Sequence, residues 1–366
     1  MNLLLVDDDQ SQNKVLQDAV DIFNSTSDIN ITLDIATNYT DGLKKIQTLN
    51  NYDGAIIDLR LEKNDAVGLG NNLIKEIVKE LRFPVRVITT HKGDLEPELQ
   101  IENILFKCRG RGEEEYEDVL NEFKKIFLTG ITQILGAKGT IDKQLSKIFW
   151  DHLSSSMDIW INDDKRTPEQ KQKTLLRYIL LHVQEYLELT EESNFENYHA
   201  AEIYITPPIK NNLFTGDLVI ENESGKRFIV LTPSCDLAQL KAKDILLSEV
   251  ESEEEGLLFE KTRIIKNGKG DADKLELAQT ELKALIGNHY SNKYHFLPKY
   301  NSIKSGLINF QKLKSVRVKD FNENFERIAS INSTFTKDII ARFSYYYSRQ
   351  GSPDFNIDEI YESLIN

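Results

Sequence analysis

The chain carries 366 residues, with 45 Lys and Arg against 59 Asp and Glu and a formal net charge of -14, which at about 100–200 residues per domain means two or three domains. That acidity argues against a broad phosphate-binding surface, since nucleic-acid affinity rests on excess Lys and Arg, and two cysteines, Cys108 and Cys235, are too few for a disulfide scaffold. No run approaches the ~18 apolar residues of a membrane span, and the opening MNLLLVDDDQ lacks the basic flank and apolar stretch of a signal peptide, so a soluble cytoplasmic protein is expected.

The first third alternates two periods. Leu3 to Val6 is an apolar run ending in Asp7, Asp8 and Asp9, the pattern of a strand buried on both faces. Val15, Leu16, Ala19, Val20 and Phe23 then recur at helical spacing, and Ile29, Ile31, Leu33 and Ile35 alternate as in a strand. Thr40 to Leu49 returns to a helical period, and Ala55 to Asp58 reads as a third strand. Leu73, Ile74, Ile77, Val78 and Leu81 mark another amphipathic helix. Pro84 opens a strand over Val85 to Thr89, Ile104 to Lys107 reads as the fifth, and Glu113 to Phe127 as a closing helix with acid in its first turn. Such alternation predicts a parallel five-stranded sheet wound on both faces, with ligands beyond the carboxyl ends of its strands.

The polar strand ends therefore carry the chemistry. Asp7 and Asp8 end the first strand, Asp58 the third, Thr89 the fourth and Lys107 the fifth. Carboxylates gathered at one sheet edge repel one another unless a cation bridges them, and oxygen-only ligands suit Mg2+. A hydroxyl and an ammonium beside them complete what phosphoryl transfer to a carboxylate needs.

LLLVDDD, GAIIDLRL, PVRVITT and ILFK, in that order, resemble the receiver domain of two-component response regulators over about residues 1–128. The resemblance implies a flavodoxin-like fold with Asp58 as phosphoacceptor. It implies Mg2+ held by Asp7, Asp8, Asp58 and the backbone carbonyl of Arg60, with Thr89 and Lys107 bonding the phosphoryl oxygens. A partner histidine-kinase-like ATPase would supply the phosphoryl group. Departures from the family pattern are Cys108 in place of the Pro after the Lys, Ile104 at the aromatic switch position, and a loop from Arg60 to Gly70 without Pro. The short stretch between Thr89 and Lys107 predicts a reduced fourth helix.

Residues 129–193 read as a helical connector. Leu175, Leu176, Ile179, Leu180, Val183 and Leu187 form one stripe after Thr167-Pro168. Arg177 and His182 give the Arg-x4-His spacing that resembles a class of helical ribonucleases, but at about 100° per residue they flank opposite edges of the stripe, and a packing helix is the expected reading.

Residues 194–366 read as an α+β output or interaction domain with a small antiparallel β-unit. Glu202 to Ile205, Gly216 to Ile220 and Arg227 to Thr232 have strand patterns, the last two joined as a hairpin. This layout loosely resembles the β-barrels of mRNA-interferase toxins. Cys235 lacks a base tied to it by any motif and reads as a packed or turn position. Asp217 and Asp236 with Lys241 or Lys243 are a poorly spaced nuclease set. The run Glu251 to Glu255 reads as a solvated, helix-prone segment, Lys261 to Lys274 as a loop, Leu275 to Ile286 as a helix, and Leu313 to Val318 as a strand. A terminal helix carries Ile339, Phe343 and Tyr345 to Tyr347, followed by Arg349 to Pro353. Glu202-x-Tyr204, Thr215-Gly216-Asp217, Pro233-Ser234-Cys235-Asp236 and Arg349-x-Gly351-x-Pro353 together resemble receiver-fused proteins of bacterial conflict or anti-phage operons, which implies a role in antiviral defence. The expected function is a phosphorylation-controlled signalling protein. The alternatives are an effector nuclease or ribonuclease in the C-terminal region, with Asp217, Cys235 and Asp236 as candidates, or an unphosphorylated receiver serving as a docking scaffold. A homodimer is left open, and nucleic acid would bind only through the C-terminal region.

Overall fold

The computed structural model describes residues 1–48, 51–62, 68–187, 197–268, 272–349 and 354–365. The chain forms two compact units, Met1–Phe195 and Glu196–Asn366.

The first unit opens with β1 (Asn2–Val6), α1 (Gln10–Thr26), β2 (Thr32–Ala36), α2 (Tyr39–Thr48), β3 (Gly54–Ile57), α3 (Leu69–Glu80), β4 (Val85–Thr89), β5 (Phe106–Gly110) and α4 (Tyr116–Phe127). The strands are all parallel in the order β2-β1-β3-β4-β5. The period-2 alternation of each strand divides its side chains between two helical layers. Leu4, Val6, Ile57, Val87, Phe106 and Cys108 pack with Ile46 of α2 and Leu73, Ile74 and Ile77 of α3. Leu3, Leu5, Ile56 and Ile88 pack with Leu16 and Val20 of α1 and Leu120 and Phe123 of α4. Each such fully buried aliphatic contributes about 1.5–3 kcal/mol.

Between β4 and β5 the chain makes only two 3-10 turns, Lys92–Asp94 and Pro97–Leu99. The expected reduction of the fourth helix is thus its replacement by turns. The fifth strand corrects the sequence reading. Ile104 and Leu105 are 55% and 41% exposed and precede the strand, whereas Phe106 and Cys108 face the core. The apolar triplet before Lys107 marks the approach to β5, and the strand runs on to Gly110.

The unit continues with α5 (Ile131–Leu135), α6 (Thr140–Lys147), a π-helical turn (Ile148–Leu153), α7 (Ser154–Ile161) and α8 (Pro168–Leu187). On α8, Arg177 is exposed, while His182 lies against the Tyr178 ring at 4.1 Å and the His152 ring at 4.8 Å.

The second unit contains β6 (Tyr204–Ile205), β7 (Asp217–Glu221), β8 (Arg227–Val230), α9 (Ser234–Ala238), β9 (Asp244–Ser252), α10 (Gly256–Asn267) and α11 (Ala272–Ile286). It ends with β10 (Tyr294–Leu297), β11 (Gly306–Arg317), α12 (Val318–Asn324), β12 (Phe325–Ile331), α13 (Ser333–Ser348) and α14 (Ile357–Ile365). Its strands form one seven-stranded antiparallel sheet, β10-β11-β9-β8-β7-β12-β6, and the β7–β8 hairpin is as expected. Two expectations change. The acidic run begins inside β9, where Glu249 and Glu251 are buried because Lys226 and Lys312 reach Glu249 and Lys312 also reaches Glu251. The stretch read as a loop from Lys261 is helical to Asn267, as α10, whose Leu258 packs with Leu285 and Leu307. Residues 350–353 of the Arg349 to Pro353 tail lie outside the described residues. Among the described residues no helix is long and apolar enough to cross a membrane.

Candidate functional site

β1 and β3 are neighbours, with Val6 and Ile57 partners in register, so the residues that follow them leave the sheet side by side. Asp58 N donates to Val6 O at 2.9 Å, and Asp7 N to Ala36 O at 3.1 Å. The strand order reverses between β1 and β3, the switch point where such sheets hold ligands. Here the carboxylates of Asp7, Asp8 and Asp58 offer ligand atoms within 4.8 Å of one another, with Asp8 the most open of the three. Gly70 makes the rear wall possible. Its N–H donates to Leu59 O at 3.0 Å, and a Cβ there would stand 2.3 Å from the Asp58 carbonyl oxygen.

One guanidinium holds this cluster together. Arg111 Nη2 donates to Asp7 Oδ2 and to Asp58 Oδ2, both at 2.7 Å, while Nη1 donates to Asp9 Oδ2 at 3.2 Å. Asp7 Oδ1 accepts from Asp9 N at 2.8 Å. Asp9 also caps α1, accepting from Ser11 N at 2.9 Å, so the cluster lies at a helix N-terminus that favours negative charge. Burial pushes the Asp7 carboxyl up to about 6 against the Asp9 amide and Arg111, and Asp58 and Asp8 add to the rise. Burial and the Asp58 charge likewise raise Asp8. Although burial works against the Arg111 charge, Asp7 and Asp58 hold it above its usual value. Asp58 is buried, and its Oδ1 has no hydrogen-bond partner. An orphaned carboxylate oxygen among three convergent carboxylates fits a hard divalent cation, which takes oxygen ligands. Among the described residues this is the one group of three or more His, Cys, Asp or Glu side chains spaced to share a metal ion.

Thr89 is fully buried at the end of β4, beside β3, and its hydroxyl accepts from His91 N at 3.2 Å. Arg60 follows Asp58 by two residues, and its side chain turns to Asp94 at 2.7 Å. Lys107 is not brought to the site. It is the register partner of Arg86 in mid-strand, and its ammonium bonds Glu122 of α4. The partner of Thr89 is Gly110, so the cation just beyond the strand end is Arg111. The signal that would have found it is the alternation Phe106-x-Cys108-x-Gly110, which places the strand end three residues later than the apolar run does.

The C-terminal candidates lie on β7 and α9. Asp217 is buried and saturated: Oδ1 accepts from Ser330 Oγ at 2.6 Å, Oδ2 from Phe214 N at 2.8 Å and Arg327 Nη1 at 3.2 Å. It lines a cleft of about 540 Å³ with Thr215, Ser234 and Lys337. Cys235 is exposed on the short α9, with Asp236 Oδ1 3.7 Å from its Sγ. Lys241 and Lys243 are exposed.

No family model matches the chain, and no curated protein matches it. Among solved structures, the N-terminal domain of a response regulator/sensory box/GGDEF 3-domain protein from Carboxydothermus hydrogenoformans is 18% identical, covering 35% of this chain and 95% of its own, with a TM-score of 0.25. A response regulator receiver domain protein from Clostridium thermocellum is 16% identical, covering 35% and 94%, with a TM-score of 0.27. MazE-MazF from Deinococcus radiodurans is 12% identical, covering 38% and 100%, with a TM-score of 0.24. The fold assignment rests on the chain's own topology: five parallel strands in the order β2-β1-β3-β4-β5, helices on both faces and an acidic cluster at the switch point make the N-terminal sheet receiver-like.

Proposed function

We propose that the chain is a response-regulator-like signalling protein in which Asp58 accepts a phosphoryl group from a partner histidine-kinase-like ATPase and the C-terminal α+β unit carries the output. The observation that supports this most is the buried Asp58 carboxylate, whose Oδ1 has no partner and which shares a 4.8 Å cluster with Asp7 and Asp8. In the transfer, an Asp58 oxygen attacks phosphorus and forms the C–O–P link of an acyl phosphate. The bond from phosphorus to the donor imidazole nitrogen breaks, and the imidazole takes up a proton.

Asp7, Asp8, Asp58 and the Arg60 carbonyl would hold Mg2+, which when bound supplies positive charge against the phosphoryl oxygens. Asp7 and Asp8, which lie between β1 and α1, would supply carboxylate oxygens to it. Thr89, whose oxygen already accepts from His91 N, keeps its own proton to donate to a phosphoryl oxygen. Arg111 is the cation within reach of Asp58 and takes the place expected for Lys107 in charge neutralisation. Beryllofluoride, a phosphoryl mimic, tests the reading when added with Mg2+. Wild type is expected to melt higher and to exchange amide hydrogens more slowly at the ends of β1, β3 and β4, and Asp58→Asn to show neither effect. An unchanged wild type overturns it.

A further inference from the structure

Arg111 occupies the oxygens a metal would need. Both oxygens of Asp7 are engaged, Oδ1 by Asp9 N at 2.8 Å and Oδ2 by Arg111 at 2.7 Å. Of the Asp58 oxygens, Oδ2 is taken by the same Arg111 Nη2, which leaves Oδ1 as the one buried carboxylate oxygen of this pair without a partner. A divalent cation ligated by both carboxylates at about 2.0–2.1 Å would share those oxygens with a guanidinium already in hydrogen-bond contact with them. Like charges that close, in a site this buried, are poorly screened. One of the two has to yield.

The local backbone lets the side chain yield alone. Arg111 N donates to Thr89 O at 3.0 Å, which pins the main chain to the end of β4. The next residue, Gly112, has φ +81 and nothing within 4 Å of where a Cβ would be. The Arg111 side chain is 18% exposed, against 5% for Asp7 and 7% for Asp58, so it has a route to solvent that its partners lack. Its third contact is Asp9 Oδ2, whereas the α1 cap uses Asp9 Oδ1, so the side chain can leave the cluster without breaking the cap.

We propose that Arg111 is a tethered counter-ion that the divalent cation displaces. Loading the site with metal then moves the Arg111 side chain off Asp7, Asp58 and Asp9 and frees it to meet an incoming phosphoryl group. This rests on the reading of Asp7, Asp8 and Asp58 as a metal site. In the metal-free protein Arg111 stabilises the acidic cluster; in the loaded protein it competes with the ion that replaces it.

Calorimetric titration of the full chain with MgCl2 tests this, comparing wild type with Arg111→Gln and Arg111→Lys. Arg111→Gln is expected to bind Mg2+ about tenfold tighter than wild type, and Arg111→Lys to fall between the two. In chelator Arg111→Gln melts below wild type, and saturating Mg2+ closes that gap. If Arg111→Gln proves too unstable without metal, the Arg111→Lys affinity carries the comparison. Measurable binding that is equal or weaker in both variants overturns the displacement alone and leaves the metal site standing. Binding in none of the three proteins overturns the displacement and the metal reading together.

Discussion

Replacing Glu122 by Gln is expected to destabilise the first unit by about 3–5 kcal/mol, the cost of leaving a buried charge without its partner. Arg86 projects from β4 into the layer between the sheet and α4, and its side chain is 1% exposed. Its guanidinium bonds Glu122, its Nη1 reaches Val85 O at 3.4 Å, its Nε has no partner, and the Phe123 ring lies 5.7 Å away. Glu122 is thus the carboxylate that neutralises Arg86, and it bonds Lys107 as well. A neutral amide in its place leaves two cations facing each other in a poorly hydrated layer. Adding Arg86→Met removes the stranded charge, and with it the penalty of a buried unpaired ion. The double variant should therefore recover most of the loss. Urea unfolding followed by tryptophan fluorescence reads this directly, since both tryptophans, Trp150 and Trp160, belong to the first unit. Burial works to raise the Glu122 carboxyl, but the Lys107 and Arg86 bonds outweigh it and hold it below the usual value. Its contribution is then complete above an unfolded value of about 4.3 and fades as acid protonates the folded form, so the gap between wild type and Glu122→Gln must narrow at low pH. A Glu122→Gln variant within about 1 kcal/mol of wild type, or a double variant no better than the single one, would refute the reasoning.

Gly70→Ala should lower stability by about 1–3 kcal/mol and blunt the beryllofluoride response, because its Cβ meets the Asp58 carbonyl at 2.3 Å; Gly93→Ala, with nothing within 4 Å, is the silent control in the same melts. Asp217→Ala should cost the second unit about 3 kcal/mol by removing the carboxylate paired with Arg327, which keeps its bonds to the Asn212 and Lys210 carbonyls, and by leaving Ser330 Oγ and Phe214 N without their acceptor, measured by hydrogen exchange across β7 and β12. Asp338 is held at about 2, first by its bond from His295 and, against burial, by Arg342. Its stabilisation is present above about pH 4 and lost as pH falls through about 2. Half-exposed, it contributes no more than about 1 kcal/mol after screening, and acid titrations of wild type and Asp338→Asn should converge over that window.

The sequence was most readable where burial is symmetrical. β1, β3 and β4 are strands with core on both faces, so their apolar runs end where the strands end, and Asp7, Asp58 and Thr89 follow from that. β5 is different, because one of its faces carries Lys107 and Arg109 while the other carries Phe106 and Cys108. Lys107 belongs in that layer only through Glu122, a helix residue supplied by later chain, and nothing local announces the pair. The shifted strand end took the site's cation with it, from Lys107 to Arg111. The same blindness hid Glu249 and Glu251. Acid reads as surface until Lys226, the residue before β8, and Lys312 of β11 neutralise it, and both of those strands adjoin β9.

The central claim is that Asp58 is a phosphoryl acceptor. Intact-mass and peptide mass spectrometry after incubation with Mg2+ and a small acyl phosphate tests it most directly. The account predicts one added phosphoryl group on the peptide containing Asp58, absent without Mg2+ and absent in Asp58→Asn. No added group, or an equal amount in Asp58→Asn, would contradict it.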